Sequence, residues 1–129
     1  MKIVLFVCTH NAGRSQMAEA FFNEKKKDNM IAISAGTNPS KQINPIVAQA
    51  MKEIGIDISG EKPKILTLEL IEQFDRVITM GCGVDEACPA NLLPTEDWGI
   101  EDPSEKPIEE VRRICDEIKK RVEYLLAHL

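Results

Sequence analysis

The hydrophobic positions of the chain fall into short blocks with two different periods. Residues 2–7 consist of Lys2 followed by a continuous apolar run rich in β-branched side chains, and residues 75–80 contain another such run. Strands of a parallel sheet are covered on both faces, so their sequences lose the usual alternation of apolar and polar residues. We therefore predict buried strands at these two places. Shorter strands are predicted at residues 31–34 and 91–95.

Segments with helical periodicity lie between these strands. Residues 15–26 carry apolar side chains at helical spacing. Residues 45–54 have Pro45 in the first turn and Gly55 just past the end, which is the usual asymmetry of a helix. Residues 67–73 predict a short helix, with a threonine at the N-cap position.

The last helix is predicted over residues 107–128, and one of its faces is apolar. That face consists of Ile108, Val111, Ile114, Ile118, Val122 and Leu125. Cys115 lies near it, and we expect this cysteine to be a core residue. The alternation of strands and helices predicts an α/β fold of three layers, with a four-stranded, mostly parallel sheet and helices on both faces. Such sheets bind ligands at the carboxyl ends of their strands.

The length, net charge and hydropathy of the chain limit the classes of protein to which it can belong. The 129 residues suit one domain, residues 1–129, with a single core. A formal net charge of -5 disfavours nucleic-acid binding, and the lysine run at residues 25–27 predicts a solvated helix end. The apolar run at residues 3–7 is too short for a signal peptide or a membrane span, so we expect a cytoplasmic protein. We also expect a monomer. Four cysteines in such a chain indicate redox, metal or catalytic chemistry rather than a disulfide framework.

The candidate chemistry begins in the loop between the first strand and the first helix. Residues 8–15 read Cys-Thr-His-Asn-Ala-Gly-Arg-Ser. Backbone N–H groups of such a loop can point inward and form an anion site, to which the helix N-terminus adds its dipole. Arg14 can hold a tetrahedral oxyanion through two parallel hydrogen bonds. The same positive field favours the thiolate of Cys8, which is the reactive form of a cysteine.

Each residue of this loop has a predicted role. Ser15 can donate a hydrogen bond to the Cys8 sulfur, Asn11 can hold the loop through its side chain, and Gly13 suits a tight turn. The alternative is that Cys8 is a small buried residue at a strand end, because this spacing of Cys and Arg is common by chance. The predicted oxyanion-binding residues are Thr9, His10, Asn11, Ala12, Gly13 and Arg14.

Together with the residues that follow it, the loop resembles the low-molecular-weight protein tyrosine phosphatase superfamily. Within that superfamily, CTHNAGRSQMAEA at residues 8–20 is most similar to the thioredoxin-coupled arsenate reductases. The resemblance continues through residues 34–36, 57–59, 82–89 and 98–103. It implies the phosphatase-like fold and an arsenate or phosphate-like oxyanion as the substrate.

The resemblance also implies a cascade of three thiols. Cys8 attacks arsenate and forms a thiol–arsenic adduct, and Cys82 then attacks Cys8 and releases arsenite. Cys88 attacks Cys82, and thioredoxin or a similar dithiol would reduce the resulting Cys82–Cys88 disulfide. A mycothiol or glutathione donor stays open.

The loop that carries the last two thiols allows other interpretations. Gly81 and Gly83 would let it move between its partners, and we hypothesise a loop that is ordered in one redox state and mobile in another. Its two cysteines could instead be inert. They could also belong to a zinc site, although the chain offers only His10 and His128 as histidine ligands.

An Asp-Pro pair precedes the last helix. An oxygen that leaves arsenate or a phosphate ester needs a proton, and the resemblance assigns Asp102 the role of general acid. Pro103 would stiffen the loop that carries it. Alternatively, Asp102 is a turn or capping residue, and Glu101 is a weaker candidate for the acid.

One departure from the family concerns potassium. The potassium-binding members use an Asn, a Glu and a Ser that match Asn11, Glu19 and Ser34. Where they have Thr and Asp, this chain has Lys62 and Lys64. A lysine ammonium could replace the metal charge near Glu19. We therefore expect no potassium requirement and no cofactor besides the redox-active cysteines.

Two other function classes remain open. A low-molecular-weight phosphatase shares the loop, but such enzymes usually place aromatic residues after the Asp-Pro pair, where this chain has Ser104 and Glu105. Weak hydrolysis of small esters is still expected, because the loop stabilises any tetrahedral oxyanion. A non-catalytic anion sensor or inactive adaptor is the third class. The combination of Cys8, Arg14 and Asp102 argues against it.

Overall fold

The computed structural model describes residues 2–67, 69, 72–81 and 96–129. The predicted strand at residues 91–95 lies outside these ranges, and a two-residue strand follows it directly. Most of the predicted helix at residues 67–73 also lies outside them, although Glu69 is helical. The elements, in chain order, are β1 (Lys2–Cys8), α1 (Arg14–Lys25), β2 (Met30–Gly36), α2 (Pro45–Glu53), β3 (Arg76–Thr79), β4 (Glu96–Asp97) and α3 (Ile108–Ala127).

The strands form one parallel sheet in the order β2-β1-β3-β4. β1 is central, and its last residue, Cys8, is paired with Gly36 at the end of β2. On the other side, Val7 is paired with Thr79 at the end of β3. The carboxyl ends of three strands therefore meet at one edge of the sheet, where a ligand site is expected.

Alternate side chains of β1 point to two cores. Val4 and Phe6 belong to a large cluster that includes the buried faces of α1, α2 and α3. Leu5 and Val7 belong to a smaller cluster on the opposite face, which Leu66 and the partly buried Phe74 also join. The α/β fold with a four-stranded parallel sheet and packed helices is confirmed.

The last helix is amphipathic, as its periodicity predicts. Five of the six predicted apolar positions are buried, and Ile108 packs against the core at the edge. Cys115 is a core residue, 5% exposed, and its Sγ lies 3.5 Å from Sδ of Met51. The three lysines at residues 25–27 are exposed at the end of α1, which confirms a solvated helix end. In the described part of the chain, no helix is both long and apolar enough to cross a membrane.

Candidate active site

The end of β1, the start of α1 and the residues before α3 enclose a small cavity. Its volume is about 210 Å³. Cys8 ends the central strand, and Arg14 begins the helix that follows, so the chain direction itself brings both side chains to this edge. The lining includes the predicted residues Cys8, His10, Ala12, Gly13, Arg14 and Asp102, together with Ser40, Gln42, Ile43, Asn44, Pro45, Pro103 and Ser104.

The Cys8 sulfur is buried among hydrogen-bond donors. Its side chain is 3% exposed, and Sγ lies 2.8 Å from Oγ of Ser15. The backbone N–H of Asn11 donates to the same sulfur over 3.2 Å. Nδ2 of Asn11 donates to the Ser15 hydroxyl over 2.7 Å, which leaves the single hydroxyl proton free to point at the sulfur. Two donors directed at one sulfur stabilise its thiolate form.

Asn11 anchors the loop from inside. It is fully buried and has a φ of 50°, a left-handed conformation that Asn tolerates better than most residues. Its Oδ1 accepts hydrogen bonds from Nε2 of Gln16 (3.0 Å) and from the backbone N–H of Lys64 (2.8 Å). The side chain therefore joins the loop to α1 and to the segment before Ile65.

A second segment, residues 37–44, holds the loop from outside through backbone hydrogen bonds. These bonds occupy carbonyl groups of the loop and fix its backbone against this segment. This backbone clamp, residues 37–44, has no counterpart among the predictions from the sequence. The bonds run from N–H of Thr37 to O of Cys8 (3.3 Å), from Asn38 to Thr9 (2.8 Å), from Ser40 to His10 (3.0 Å) and from Asn44 to Ala12 (2.9 Å).

Asn44, at one end of the clamp, could have been recognised from the sequence. Asn44 is the N-cap of α2, and its Oδ1 accepts a hydrogen bond from the N–H of Ile46 over 2.9 Å. An Asn directly before a Pro at a helix start is a recognisable cap. The rest of the clamp consists of backbone contacts, which place no demand on residue type.

Hydrogen bonds to backbone carbonyls occupy one side of the Arg14 guanidinium. It is 9% exposed, and Nη1 donates to the carbonyls of Met80 and Ile100, each over 2.9 Å. In the described residues no hydrogen bond uses Nε or Nη2, and Nη2 lies 4.0 Å from Oδ2 of Asp102. The Nε–Nη2 edge is the one that can bind two oxygens of a tetrahedral anion in parallel. Arg14 is predictable from the sequence, whereas the two carbonyls that orient it are not.

Asp102 lies at the mouth of the cavity. Its Oδ1 accepts a hydrogen bond from the N–H of Ser104 over 2.9 Å, so the residue also stabilises a turn. Pro103 packs over Gly13, since a Cβ built on Gly13 would lie 3.2 Å from Cγ of that proline. Oδ2 of Asp102 faces Arg14, which is the placement that a general acid above the loop needs.

Glu101 is engaged elsewhere. Its carboxylate pairs with Lys106 (3.1 Å) and Arg113 (3.0 Å) on the surface. The hydrogen bond from Lys106, helped by the charge of Arg113, lowers the pKa of Glu101. The Glu101 side chain therefore favours its charged form and is a poor proton donor.

Glu19 and Ser34 lie together below the loop. Oε1 of Glu19 accepts a hydrogen bond from the N–H of Ser34 over 2.9 Å, and Nζ of Lys64 lies 3.9 Å from the same oxygen. Burial raises the pKa of Glu19, and the charge of Lys64 opposes this rise. Among the described residues, the buried Ser34 Oγ has no hydrogen-bond partner. Lys62 is exposed, and its carbonyl accepts from Nε2 of Gln16.

Cys82 and Cys88 lie outside the described residues. The chain reaches them through Met80 and Gly81, directly beside the Arg14 guanidinium. Their predicted roles therefore stay predictions. What the described residues bring together is the predicted nucleophile, the predicted anion-binding loop, the arginine and the carboxyl group at the mouth of the cavity.

Comparison with known proteins identifies the family of this site. A sequence model of the low-molecular-weight phosphotyrosine protein phosphatases matches residues 3–129. The chain belongs to this family. Arsenate reductase 2 of Staphylococcus epidermidis is 38% identical over 126 residues, which cover 95% of this chain and 94% of that protein.

Solved structures of similar proteins have the same fold. An arsenate reductase in its phosphate-binding state is 37% identical, with a TM-score of 0.84, over 99% of this chain and 98% of its own. A thioredoxin-dependent arsenate reductase from Corynebacterium glutamicum is 39% identical, with a TM-score of 0.77; the match covers 97% of this chain and 60% of that one.

Proposed function

We propose that this member of the low-molecular-weight phosphatase family is an arsenate reductase. The observation that carries the proposal is the environment of Cys8: a buried sulfur that receives two hydrogen bonds, next to a guanidinium with a free edge. An arsenate seated between the loop N–H groups and Arg14 would have its arsenic atom in line for attack by that sulfur. The named relatives support arsenate as the oxyanion.

In the first step the Cys8 thiolate forms a bond to arsenic, and one arsenate oxygen departs as water. Asp102 in its acid form supplies a proton to that oxygen. The N–H groups of the loop and the Nε–Nη2 edge of Arg14 stabilise the charge on the remaining oxygens. Arsenic is still pentavalent in this adduct.

In the second step the Cys82 thiolate attacks the Cys8 sulfur. A disulfide bond forms, the sulfur–arsenic bond breaks, and its electron pair stays with arsenic, which leaves as trivalent arsenite. Cys88 then attacks Cys82 and frees Cys8, and a dithiol such as thioredoxin reduces the Cys82–Cys88 disulfide. The name of the Corynebacterium relative supports thioredoxin as the donor. Because thioredoxin keeps the cytosol reducing, we assign the protein to the cytoplasm.

Single substitutions of the cysteines test this cascade. Arsenite release is measured with thioredoxin, thioredoxin reductase and NADPH, and Cys8-dependent hydrolysis of p-nitrophenyl phosphate is measured in parallel. Cys82→Ser and Cys88→Ser should lose arsenate turnover and keep ester hydrolysis, whereas Cys8→Ser should lose both. Cys115→Ser is the matched control and should keep both. Undiminished turnover in Cys82→Ser and Cys88→Ser would overturn the cascade.

The second candidate function is phosphate-ester hydrolysis, which the family name favours. The described residues that line the cavity include no Phe, Tyr or Trp to hold a phenyl ring. A cavity with a polar rim and a volume of about 210 Å³ suits a small inorganic oxyanion better than phosphotyrosine. Hydrolysis of the ester without any thioredoxin-dependent arsenite release would make the phosphatase the better assignment.

We also propose that Lys64 supplies the positive charge that potassium provides in some relatives. Its ammonium lies 3.9 Å from Oε1 of Glu19, and that carboxylate already holds the N–H of Ser34. Arsenate turnover should then be equal in potassium and sodium salts at one ionic strength. Lys64→Met should become sensitive to the cation, whereas Lys62→Met, on the exposed neighbour, should not. Strong potassium activation of the native protein would contradict the proposal.

A further inference from the structure

The space for the Arg14 guanidinium depends on Gly81, the residue directly before Cys82. Gly81 has a φ of 131°, a conformation that residues with a side chain rarely adopt. A Cβ built on it would lie 2.7 Å from Nη1 of Arg14 and 3.3 Å from the carbonyl oxygen of Ile100. The first distance is a clash, and any residue other than glycine would push against the guanidinium.

The guanidinium cannot move aside without cost. Nη1 of Arg14 donates to the carbonyls of Met80 and Ile100, and the N–H of Ile100 donates to the same Met80 carbonyl over 3.1 Å. Gly81 follows Met80 directly in the chain and borders the space that Nη1 occupies. Relief of the clash would separate Nη1 from its two acceptors and turn the Nε–Nη2 edge away from the cavity.

We propose that Gly81 is a positioning residue for oxyanion binding. Without a side chain at this position, the Arg14 guanidinium can lie against the end of β3 and present its free edge to the anion. The sequence suggests a different role for Gly81, as a flexible point in the loop of Cys82. The geometry assigns it a steric role in addition, which rests on the proposed function only in taking Arg14 as an oxyanion ligand.

Gly55 offers a matched control for this inference. It also has a positive φ, 89°, but a Cβ built on it meets no atom within 4 Å. Gly81→Ala and Gly55→Ala both force alanine into an unfavourable backbone conformation, and both should lower stability. Only the first should disturb Arg14.

The test measures the dissociation constant of inorganic phosphate, followed by NMR shifts of the loop amides at constant ionic strength. Gly81→Ala should weaken phosphate binding by about tenfold or more, the range expected when charge-assisted hydrogen bonds are lost. Gly55→Ala should bind phosphate within about twofold of the native protein. Equal affinities in Gly81→Ala and Gly55→Ala would overturn the inference.

A second arm uses Arg14→Lys, which removes Nη1. If Gly81 acts through the guanidinium, Gly81→Ala should change phosphate affinity by less than about twofold in this background, because the two effects are not additive. The same loss in both backgrounds would indicate a merely structural role and overturn the inference.

Two further outcomes are decisive. If Gly81→Ala alone does not fold, the double variant with Arg14→Lys should fold, because the clashing atom is gone; failure of both contradicts the inference. If Arg14→Lys binds phosphate as well as the native protein does, Arg14 is not the oxyanion ligand and the proposed function is at fault. The two failures are therefore distinguishable.

Discussion

Cys8 and Cys115 are almost equally buried, yet their surroundings are opposite. The first is 3% exposed and receives hydrogen bonds from polar groups of the loop, while the second is 5% exposed and contacts the sulfur of Met51 in the core. Burial, with a smaller contribution from the nearby Asp116 carboxylate, raises the pKa of Cys115 from its usual 9.0 to about 11. Burial without hydrogen-bond donors disfavours the thiolate of Cys115, whereas the donors around Cys8 are the groups that a reactive sulfur at that position would need.

The largest expected effect is a difference in alkylation rate between these two thiols. In a Cys82→Ser/Cys88→Ser background at pH 7, iodoacetamide should label Cys8 at least about a hundredfold faster than Cys115, because the rise of the Cys115 pKa from 9.0 to about 11 leaves that thiol almost wholly protonated. Peptide mass spectrometry gives both rates. Phosphate should protect Cys8 alone, and in denaturant the two rates should converge. Equal alkylation rates of Cys8 and Cys115 in the folded protein would contradict the expected difference in reactivity.

The second prediction removes one donor from the reactive thiol. Ser15→Ala should lower the rate of Cys8-dependent ester hydrolysis by about ten- to a hundredfold, because a hydrogen bond to a charged group is worth roughly 1.5–3 kcal/mol. Ser59→Ala is the control, since its exposed hydroxyl donates to Asp57 at the surface. Steady-state kinetics that give the same rate for both variants would show that the hydroxyl does not act on the sulfur.

The third prediction disturbs the packing of the loop around Cys8. A Cβ on Gly36 would lie 2.6 Å from the Thr9 carbonyl oxygen, so Gly36→Ala should destabilise the protein by about 1–3 kcal/mol and lower Cys8 reactivity. Gly60→Ala, where the new Cβ meets no atom within 4 Å, should stay within about 1 kcal/mol of the native protein. Urea unfolding measures both. Similar midpoints for the two variants would contradict a tightly packed loop.

The smallest expected effect concerns the inert thiol. Because folding raises the pKa of Cys115, the neutral thiol contributes stability that is fully present below pH 9.0 and is lost as the pH rises towards 11. Cys115→Val should remove this part of the alkaline loss of stability, up to about 2 kcal/mol. Unfolding at pH 8 and pH 10.5 compares the two proteins. If the native protein and Cys115→Val lose the same stability between these two pH values, the Cys115 thiol does not titrate in this range.

The sequence predicts the regular elements well, because a buried strand and an amphipathic helix each leave a periodic pattern. β1 and α3 are clear from that pattern, and residues 8–15 are clear from their residue types and spacing. The fold follows from the alternation of these elements.

Backbone contacts between distant segments are the features of the site that could not be predicted from the sequence. The Met80 and Ile100 carbonyls orient Arg14, and residues 37–44 clamp the loop, but any residue type can supply a carbonyl or an N–H group. The steric role of Gly81 also could not be predicted from the sequence. A glycine in a loop suggests flexibility, and its spatial neighbours Arg14 and Ile100 are distant in the chain.

The proposed reductase depends on a reaction between the thiols at positions 8 and 82, and the Cys88→Ser variant isolates that reaction. After one equivalent of arsenate is added to this reduced variant, we expect one arsenite released per chain and a Cys8–Cys82 disulfide in the peptide mass spectrum. Arsenite release without that disulfide, or a disulfide between other cysteines, would contradict it.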